Sequence, residues 1–309
     1  MKVLVTRRMH PDAVDILQKA GFEVTYHNVN SPMDKTLLRK ILPDHDAVLT
    51  CITDEINPEV LHAAADKLKV VSNMAAGLDN IDVALARMLG IKVFNTPNVV
   101  TDSTADLTIT LAFALLRKMN TTRNFIAGGK WKGWDPEIFV GRTFSRLSWG
   151  IIGFGNIGKA VAKKLSGFEM EVWFCNPGIN EPNPYAIEKG LDALLTEADI
   201  VSLHIPLNTA TINFMDKGKI NRMKPSSYLI NTSRGKIVNS EDLTEALRNK
   251  KIAGAAMDVF DPEPVPAGHE ILTFDNVILT PHIGTATLEC RREMAMEAAA
   301  NIINYFKNI

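Results

Sequence analysis

Residues 150–158 read GIIGFGNIG, and the helical run KAVAKKLSGF follows directly. Gly153, Gly155 and Gly158 fit the spacing GxGxxG, a pattern with little weight on its own because glycine is common. Here an apolar strand, Gly150–Gly153, precedes it and a helix over Asn156–Ser166 follows, which is the context that dinucleotide binding requires. Gly153 allows the tight turn, Gly155 lets backbone approach a pyrophosphate, and Gly158 permits close helix–strand packing. The helix N-terminus then offers N–H groups and a partial positive charge to the anion. The bland alternative is a glycine-rich turn without a ligand, and the strand–turn–helix context argues against it.

Outward from this loop the chain alternates strands and helices. Further strands are expected at Glu171–Cys175, Ile200–His204, Ser227–Asn231, Ala255–Val259 and Val277–Leu279, with helices over Ser240–Arg248 and about residues 286–306. Upstream, short apolar runs at Val3–Thr6, Phe22–Tyr26, Ala47–Thr50, Val70–Asn73 and Ile91–Phe94 alternate with helical stretches at Pro11–Ala20, Thr36–Ile41, Pro58–Ala65 and Val83–Leu89. Alternation of this kind predicts α/β architecture with parallel sheets covered on both faces. A longer helix is expected from Ser103 to about Lys118, with Asp102 and Ser103 as N-cap residue types. The Gly- and Trp-rich stretch Gly128–Gly141 reads as a structured loop.

The end of the strand after the glycine loop bears on the cofactor. An acidic residue there would hold the adenosine ribose hydroxyls of NAD. This sequence has Asn176, followed by Pro177-Gly178, and residues 172–188 hold no Arg or Lys for a 2′-phosphate. NAD(H) is favoured, with NADP(H) left open; Asn176 as a simple turn former is the competing view.

The 309 residues suggest two domains. Lys+Arg is 34 against 35 Asp+Glu, so the net charge of −1 argues against a general nucleic-acid or membrane-surface binder. Cys51, Cys175 and Cys290 are scattered, which argues against a disulfide framework or a cysteine metal site, and no metal is expected. No apolar run approaches the length of a membrane span, and the N-terminus reads as a strand rather than a signal peptide. The expectation is a cytoplasmic protein with reduced thiols.

Three strand ends in the second block carry reactive side chains. Arg234 lies in Asn231-Thr232-Ser233-Arg234-Gly235, where its planar fork suits a carboxylate. Glu263 lies in Asp258-Val259-Phe260-Asp261-Pro262-Glu263-Pro264, with two prolines to stiffen the loop. His282 follows a strand in Thr280-Pro281-His282-Ile283-Gly284. Each alone has an ordinary structural explanation; their shared place at strand ends of one block raises the case for a site.

With these segments in place, the chain resembles the D-isomer-specific 2-hydroxyacid dehydrogenase family, and within it is similar to glyoxylate/hydroxypyruvate reductases. The likeness runs essentially end to end, through Ala76-Gly77-Leu78-Asp79-Asn80-Ile81-Asp82, Asn95-Thr96-Pro97, Thr104-Ala105-Asp106-Leu107, the glycine loop, His204-Ile205-Pro206-Leu207 and the three segments above. The resemblance implies a Rossmann-type doubly wound sheet over residues 99–284. It also implies a flavodoxin-like substrate domain assembled from residues 1–98 and 285–309. Arg234 would bind the substrate carboxylate and polarise the ketone, His282 would be the general acid in reduction, and Glu263 would pair with His282. Backbone N–H groups of Ala76 and Gly77 would take the carboxylate's other side, and Asp258 would hold the nicotinamide carboxamide. Thr104, Asn156, Ile157, His204, Pro206 and Thr232 would line the cofactor. The chemistry is coherent: a carboxylate beside an imidazole favours its protonated form, and a charge growing on oxygen favours a nearby guanidinium.

In the segment Gly129–Pro136, Trp134 matches the tryptophan by which the reductase branch closes the active site of a partner subunit, so a homodimer is implied; simple packing of Trp131 and Trp134 in the dimer interface is the competing view. Ala76 stands where phosphite dehydrogenases carry a lysine, and Glu263 where formate dehydrogenases use a glutamine. Two alternatives remain at this stage: an NADH-sensing, corepressor-like binding protein on a similar fold, and a short phosphoglycerate or glycerate dehydrogenase. A small 2-keto or 2-hydroxy acid is the expected ligand.

Overall fold

The structure is a computed structural model that describes residues 1–176 and 182–308. The chain divides into two compact units, Met1–Val100 with Thr285–Ile309, and Thr101–Gly284.

The first unit contains β1 (Lys2–Val5), α1 (Pro11–Lys19), β2 (Glu23–Tyr26), α2 (Lys35–Ile41), β3 (Ala47–Cys51), α3 (Pro58–Ala64), β4 (Val70–Met74), α4 (Val83–Met88) and β5 (Lys92–Phe94). Its five strands are all parallel, in the order β2-β1-β3-β4-β5. That is the flavodoxin-like order. Every residue of β3 and β4 is buried, as expected for inner strands covered on both faces. Helix starts are fixed locally: Asp34, Asn57 and Asp82 each accept first-turn N–H groups through their side chains.

The second unit contains α5 (Thr101–Leu116), α6 (Met119–Ala127), β6 (Ser148–Ile152), α7 (Asn156–Leu165), β7 (Glu171–Cys175), β8 (Ile187–Glu188), α8 (Leu191–Glu197), β9 (Ile200–Leu203), α9 (Lys217–Ile220), β10 (Tyr228–Asn231), α10 (Ser240–Arg248), β11 (Gly254–Met257) and β12 (Val277–Leu279). Its parallel strands run β12-β11-β10-β9-β6-β7-β8. Counted from β6 as the first, this is the Rossmann order 3-2-1-4-5-6 with one strand added. Apolar residues of α5 and α7 pack on one face, and those of α8 and α10 on the other. The last helix, α11 (Leu288–Lys307), returns to the first unit and packs on α1 and β4, where Ser72 Oγ donates to the Ala298 carbonyl at 2.8 Å.

One expectation changes and two elements are added. Asp102 and Ser103 lie inside the first turn of α5 rather than capping it, because the helix starts at Thr101. Asp102 instead pairs with Lys164, and Ser103 Oγ donates to the Gly284 carbonyl. Residues 119–127 form a separate helix after Lys118, which takes φ 53°. β8 adds an edge strand beyond β7 that its two-residue length hid. The Pro177-Gly178 turn lies outside the described residues.

Candidate active site

The glycine loop leaves β6 at Ile152 and turns at Gly153, whose φ is 93°. A Cβ there would lie 2.6 Å from the His204 carbonyl carbon, and one on Gly158 only 2.3 Å from the Gly153 carbonyl oxygen. These two positions are glycine for packing. Gly155 differs: a Cβ would meet nothing within 4 Å, φ is an ordinary −76°, and no side chain caps α7. An uncapped helix start with open space beside it fits a dinucleotide pyrophosphate. Asn156 is exposed at the first position of α7, and Ile157 is half-buried against the apolar layer. Asn176 follows β7 and is half-buried.

His204 closes this loop from β9. Its N–H donates to the Ile152 carbonyl at 2.7 Å, and its Nε2 lies 3.0 Å from Ser202 Oγ. That hydroxyl also accepts from Trp149 Nε1 at 2.8 Å, so its own proton is available to His204. Desolvation pushes His204 down to about 4, and the ring is neutral at pH 7. Pro206 is exposed two residues on, its carbonyl accepting from Thr211 Oγ1.

Apart from Trp134, the other predicted residues of this unit form one connected set. Asp258, fully buried, accepts from Thr280 Oγ1 at 2.6 Å and Ile283 N at 2.8 Å on Oδ1, and from Gly284 N at 2.8 Å on Oδ2. Its carbonyl takes the His282 N–H at 2.8 Å. These bonds hold His282 at φ 54°, a left-handed conformation that costs a non-glycine residue about 1–3 kcal/mol. A strained residue fixed by so many partners marks a place where side-chain direction matters. Oδ2 of Asp258 keeps one lone pair beyond these internal bonds.

His282 Nδ1 lies 2.6 Å from Glu263 Oε1, while Glu263 Oε2 accepts the Phe260 N–H at 3.1 Å. Burial pushes the Glu263 carboxyl up, but the His282 bond and charge, the Phe260 N–H and the Arg234 charge outweigh it and the net direction is down. Glu263 is therefore ionised at neutral pH. With Nδ1 held by a carboxylate, Nε2 is the ring nitrogen left for chemistry. Arg234 follows β10; a Cβ on the next residue, Gly235, would lie 1.9 Å from the Phe260 carbonyl oxygen, so the two loops meet backbone to backbone. Thr104 and Thr232 line the same region: Thr108 Oγ1 joins the Thr104 carbonyl and Thr232 Oγ1, each at 2.8 Å.

Two residues escaped the sequence reading. Asn231, fully buried, donates to the Arg234 carbonyl at 2.8 Å and accepts from Ser233 N and Oγ, which shapes the loop that presents Arg234. Thr280 braces Asp258. Asn at a strand end is a turn signal; nothing marks Thr280. Among the described residues, no hydrogen bond or ring contact joins Trp134 to this set; it is 87% exposed on the 128–143 loop. Ala76 and Gly77 belong to the first unit, in the loop after β4. No cluster of three or more metal-ligating side chains occurs among the described residues, and no described helix is long and apolar enough to cross a membrane.

Comparison with known proteins finds relatives of nearly the whole chain. Residues 109–284 match the family described as D-isomer specific 2-hydroxyacid dehydrogenase, NAD binding domain. A glyoxylate reductase of Thermofilum pendens is 38% identical over 311 aligned residues, spanning 99% of this chain and 91% of that protein. A crystal structure of a Thermus thermophilus protein superposes with a TM-score of 0.94 at 38% identity, over 100% of this chain and 97% of the other. The Aquifex aeolicus D-lactate dehydrogenase, solved with NAD and lactic acid, gives 0.84 at 26% identity, over 99% and 96%. With this agreement over nearly its whole length, the chain belongs to the D-isomer-specific 2-hydroxyacid dehydrogenase family of NAD(P)-dependent oxidoreductases.

Proposed function

We propose that the protein reduces a small 2-keto acid of the glyoxylate or hydroxypyruvate kind to its D-2-hydroxy acid. The observation that carries this is the 2.6 Å Glu263–His282 pair, whose carboxylate also feels the Arg234 charge. A dinucleotide bound at the glycine loop would supply the hydride. Arg234 binds the substrate carboxylate and polarises the keto oxygen. His282 delivers a proton from Nε2 to the oxygen as charge grows there, and takes it back in the oxidative direction. Glu263 holds Nδ1, fixing the ring and balancing its positive charge. Asp258, Thr104, Thr232, His204, Pro206, Asn156 and Ile157 shape the cofactor side, while Ala76 and Gly77 in the substrate domain offer N–H groups to the carboxylate. The relative named a glyoxylate reductase favours that substrate branch.

NADH is the preferred reductant. Asn176 can bond a ribose hydroxyl, and the nearest downstream cation, Lys189, is already paired with Glu197 and placed 3.3 Å over the Trp173 ring. The working unit is a homodimer. α6 buries none of its residues, and Met119, Ile126, Trp131 and Trp134 are all exposed. A short segment so rich in bare apolar side chains calls for cover, and a second copy supplies it, with Trp134 reaching towards the neighbour's substrate.

The test is a grid of NADH and NADPH against glyoxylate, hydroxypyruvate, pyruvate and 3-phosphohydroxypyruvate, followed at the reduced-nicotinamide absorbance. Highest kcat/KM is expected with NADH and one of the first two acids. NADH binding without turnover in any cell would overturn the proposal.

A further inference from the structure

The loop that follows β4 has an unusual backbone. Three consecutive carbonyls are taken by the first unit's own donors: Ala75 by the Thr96 N–H at 2.9 Å, Ala76 by Asn95 Nδ2 at 2.6 Å, and Gly77 by Asn73 Nδ2 at 3.0 Å. A peptide unit is planar and trans, so its N–H points opposite to its carbonyl. Fixing these carbonyls therefore fixes the N–H groups of Ala76, Gly77 and Leu78, each directed away from the group that holds its peptide. None of the three N–H groups donates to another group among the described residues. Successive unused N–H groups are donors from which an anion can accept.

The amides behind it are costly choices for a fold alone. Asn73 is fully buried inside β4, where Asn is a poor strand former. Its Oδ1 accepts from Thr50 Oγ1 at 3.0 Å, and its Nδ2 also donates to Asn80 Oδ1 at 2.9 Å. Asn80 Nδ2 in turn donates to the carbonyls of Cys51 at 3.2 Å and Asp54 at 2.9 Å. The network is satisfied, rigid and anchored to the ends of β3 and β4. An apolar residue at position 73 would pack without such demands, but would release the Gly77 carbonyl.

We propose that Asn73 and Asn95 are positioning residues, which orient the peptides of the 75–78 loop so that Ala76, Gly77 and Leu78 present three N–H donors to the substrate carboxylate. The inference rests on Ala76 and Gly77 being the carboxylate contact, and it adds Leu78 N–H as a third donor, set by Asn73. Neither side chain touches substrate. Asn73 acts through the Gly77–Leu78 peptide and Asn95 through the Ala76–Gly77 peptide.

Steady-state kinetics on the full-length enzyme tests this with Asn73→Asp, which keeps the size and replaces the donor to Gly77 by an acceptor. The expected result is a tenfold or greater rise in KM for glyoxylate and a matching loss of inhibition by oxamate. kcat should change by less than about threefold and NADH binding, read by fluorescence, should be unchanged. An interaction that serves ground state and transition state alike has this signature. Asn95→Ala, at a half-buried position, frees only the Ala76 carbonyl and should raise KM in the same way. It carries the test if Asn73→Asp does not fold. A KM within twofold of wild type in the folded variants would overturn the proposal, as would equal losses in kcat and NADH affinity. A wild-type enzyme that turns over no 2-keto acid would instead overturn the functional reading on which it rests.

Discussion

His282, Glu263 and Arg234, the proposed reacting groups, are held in place by their neighbours. The left-handed backbone at His282 is held by Asp258, and the Arg234 loop by Asn231 and the close approach of Gly235 to Phe260. These three candidates stood out in the sequence because each is a charged or titratable group in a loop that follows an apolar strand. Asn231 and Thr280 were not, since their roles depend on which groups they bond. Glu263 has its carboxyl pushed below the ordinary range, so what it contributes is present above that range and is lost only as the pH falls below it. His204 behaves in the same sense, over a higher pH range. Folded, it titrates at about 4; in the unfolded chain it does so near its ordinary 6.5. Between those values the unfolded chain takes up a proton that the folded one refuses, so stability falls as the pH drops. At about 1.4 kcal/mol per pKa unit the cost is roughly 2 kcal/mol by pH 5. Urea unfolding at pH 7 and pH 5 should show that much extra loss in wild type relative to His204→Gln. Equal losses would count against a neutral, desolvated ring.

At the scale of elements, the strand–glycine–helix unit around β6 and α7 was fully legible, because apolar run, glycine spacing and helical run are all local. The capping of α5 was misread: Asp102 and Ser103 are good cap types, but Lys164 and the Gly284 carbonyl recruit them as first-turn residues. α6 was missed because it buries none of its residues and so has no core-facing pattern to read. The glycine loop also separates fold from function in a testable way. Gly158→Ala places a Cβ against the Gly153 carbonyl, whereas Gly155→Ala meets only open space. Thermal melts should show Gly158→Ala destabilised by several degrees and Gly155→Ala close to wild type. NADH titration should show Gly155→Ala binding at least tenfold more weakly. Unchanged NADH affinity in Gly155→Ala would remove the pyrophosphate from that position.

For the whole molecule, the return of α11 to the first unit was legible only through resemblance, since no local signal says which sheet a terminal helix covers. The exposed apolar side chains of residues 119–140 are likewise silent in sequence, where they look like any other core residues. Light scattering should give twice the 34.1 kDa chain mass, and Met119→Glu with Ile126→Glu should halve it. Trp134→Ala should keep the dimer and raise KM for the keto acid; an unchanged KM would leave the indole as interface packing alone. The account as a whole turns on proton delivery by His282 beside a carboxylate-binding Arg234. The most direct measurement is NADH-dependent glyoxylate reduction by wild type, His282→Ala and Arg234→Ala, with NADH affinity measured on the same samples. The account predicts at least a hundredfold loss of turnover in each variant with NADH affinity retained. Near-wild-type turnover in a folded, NADH-binding His282→Ala would contradict it.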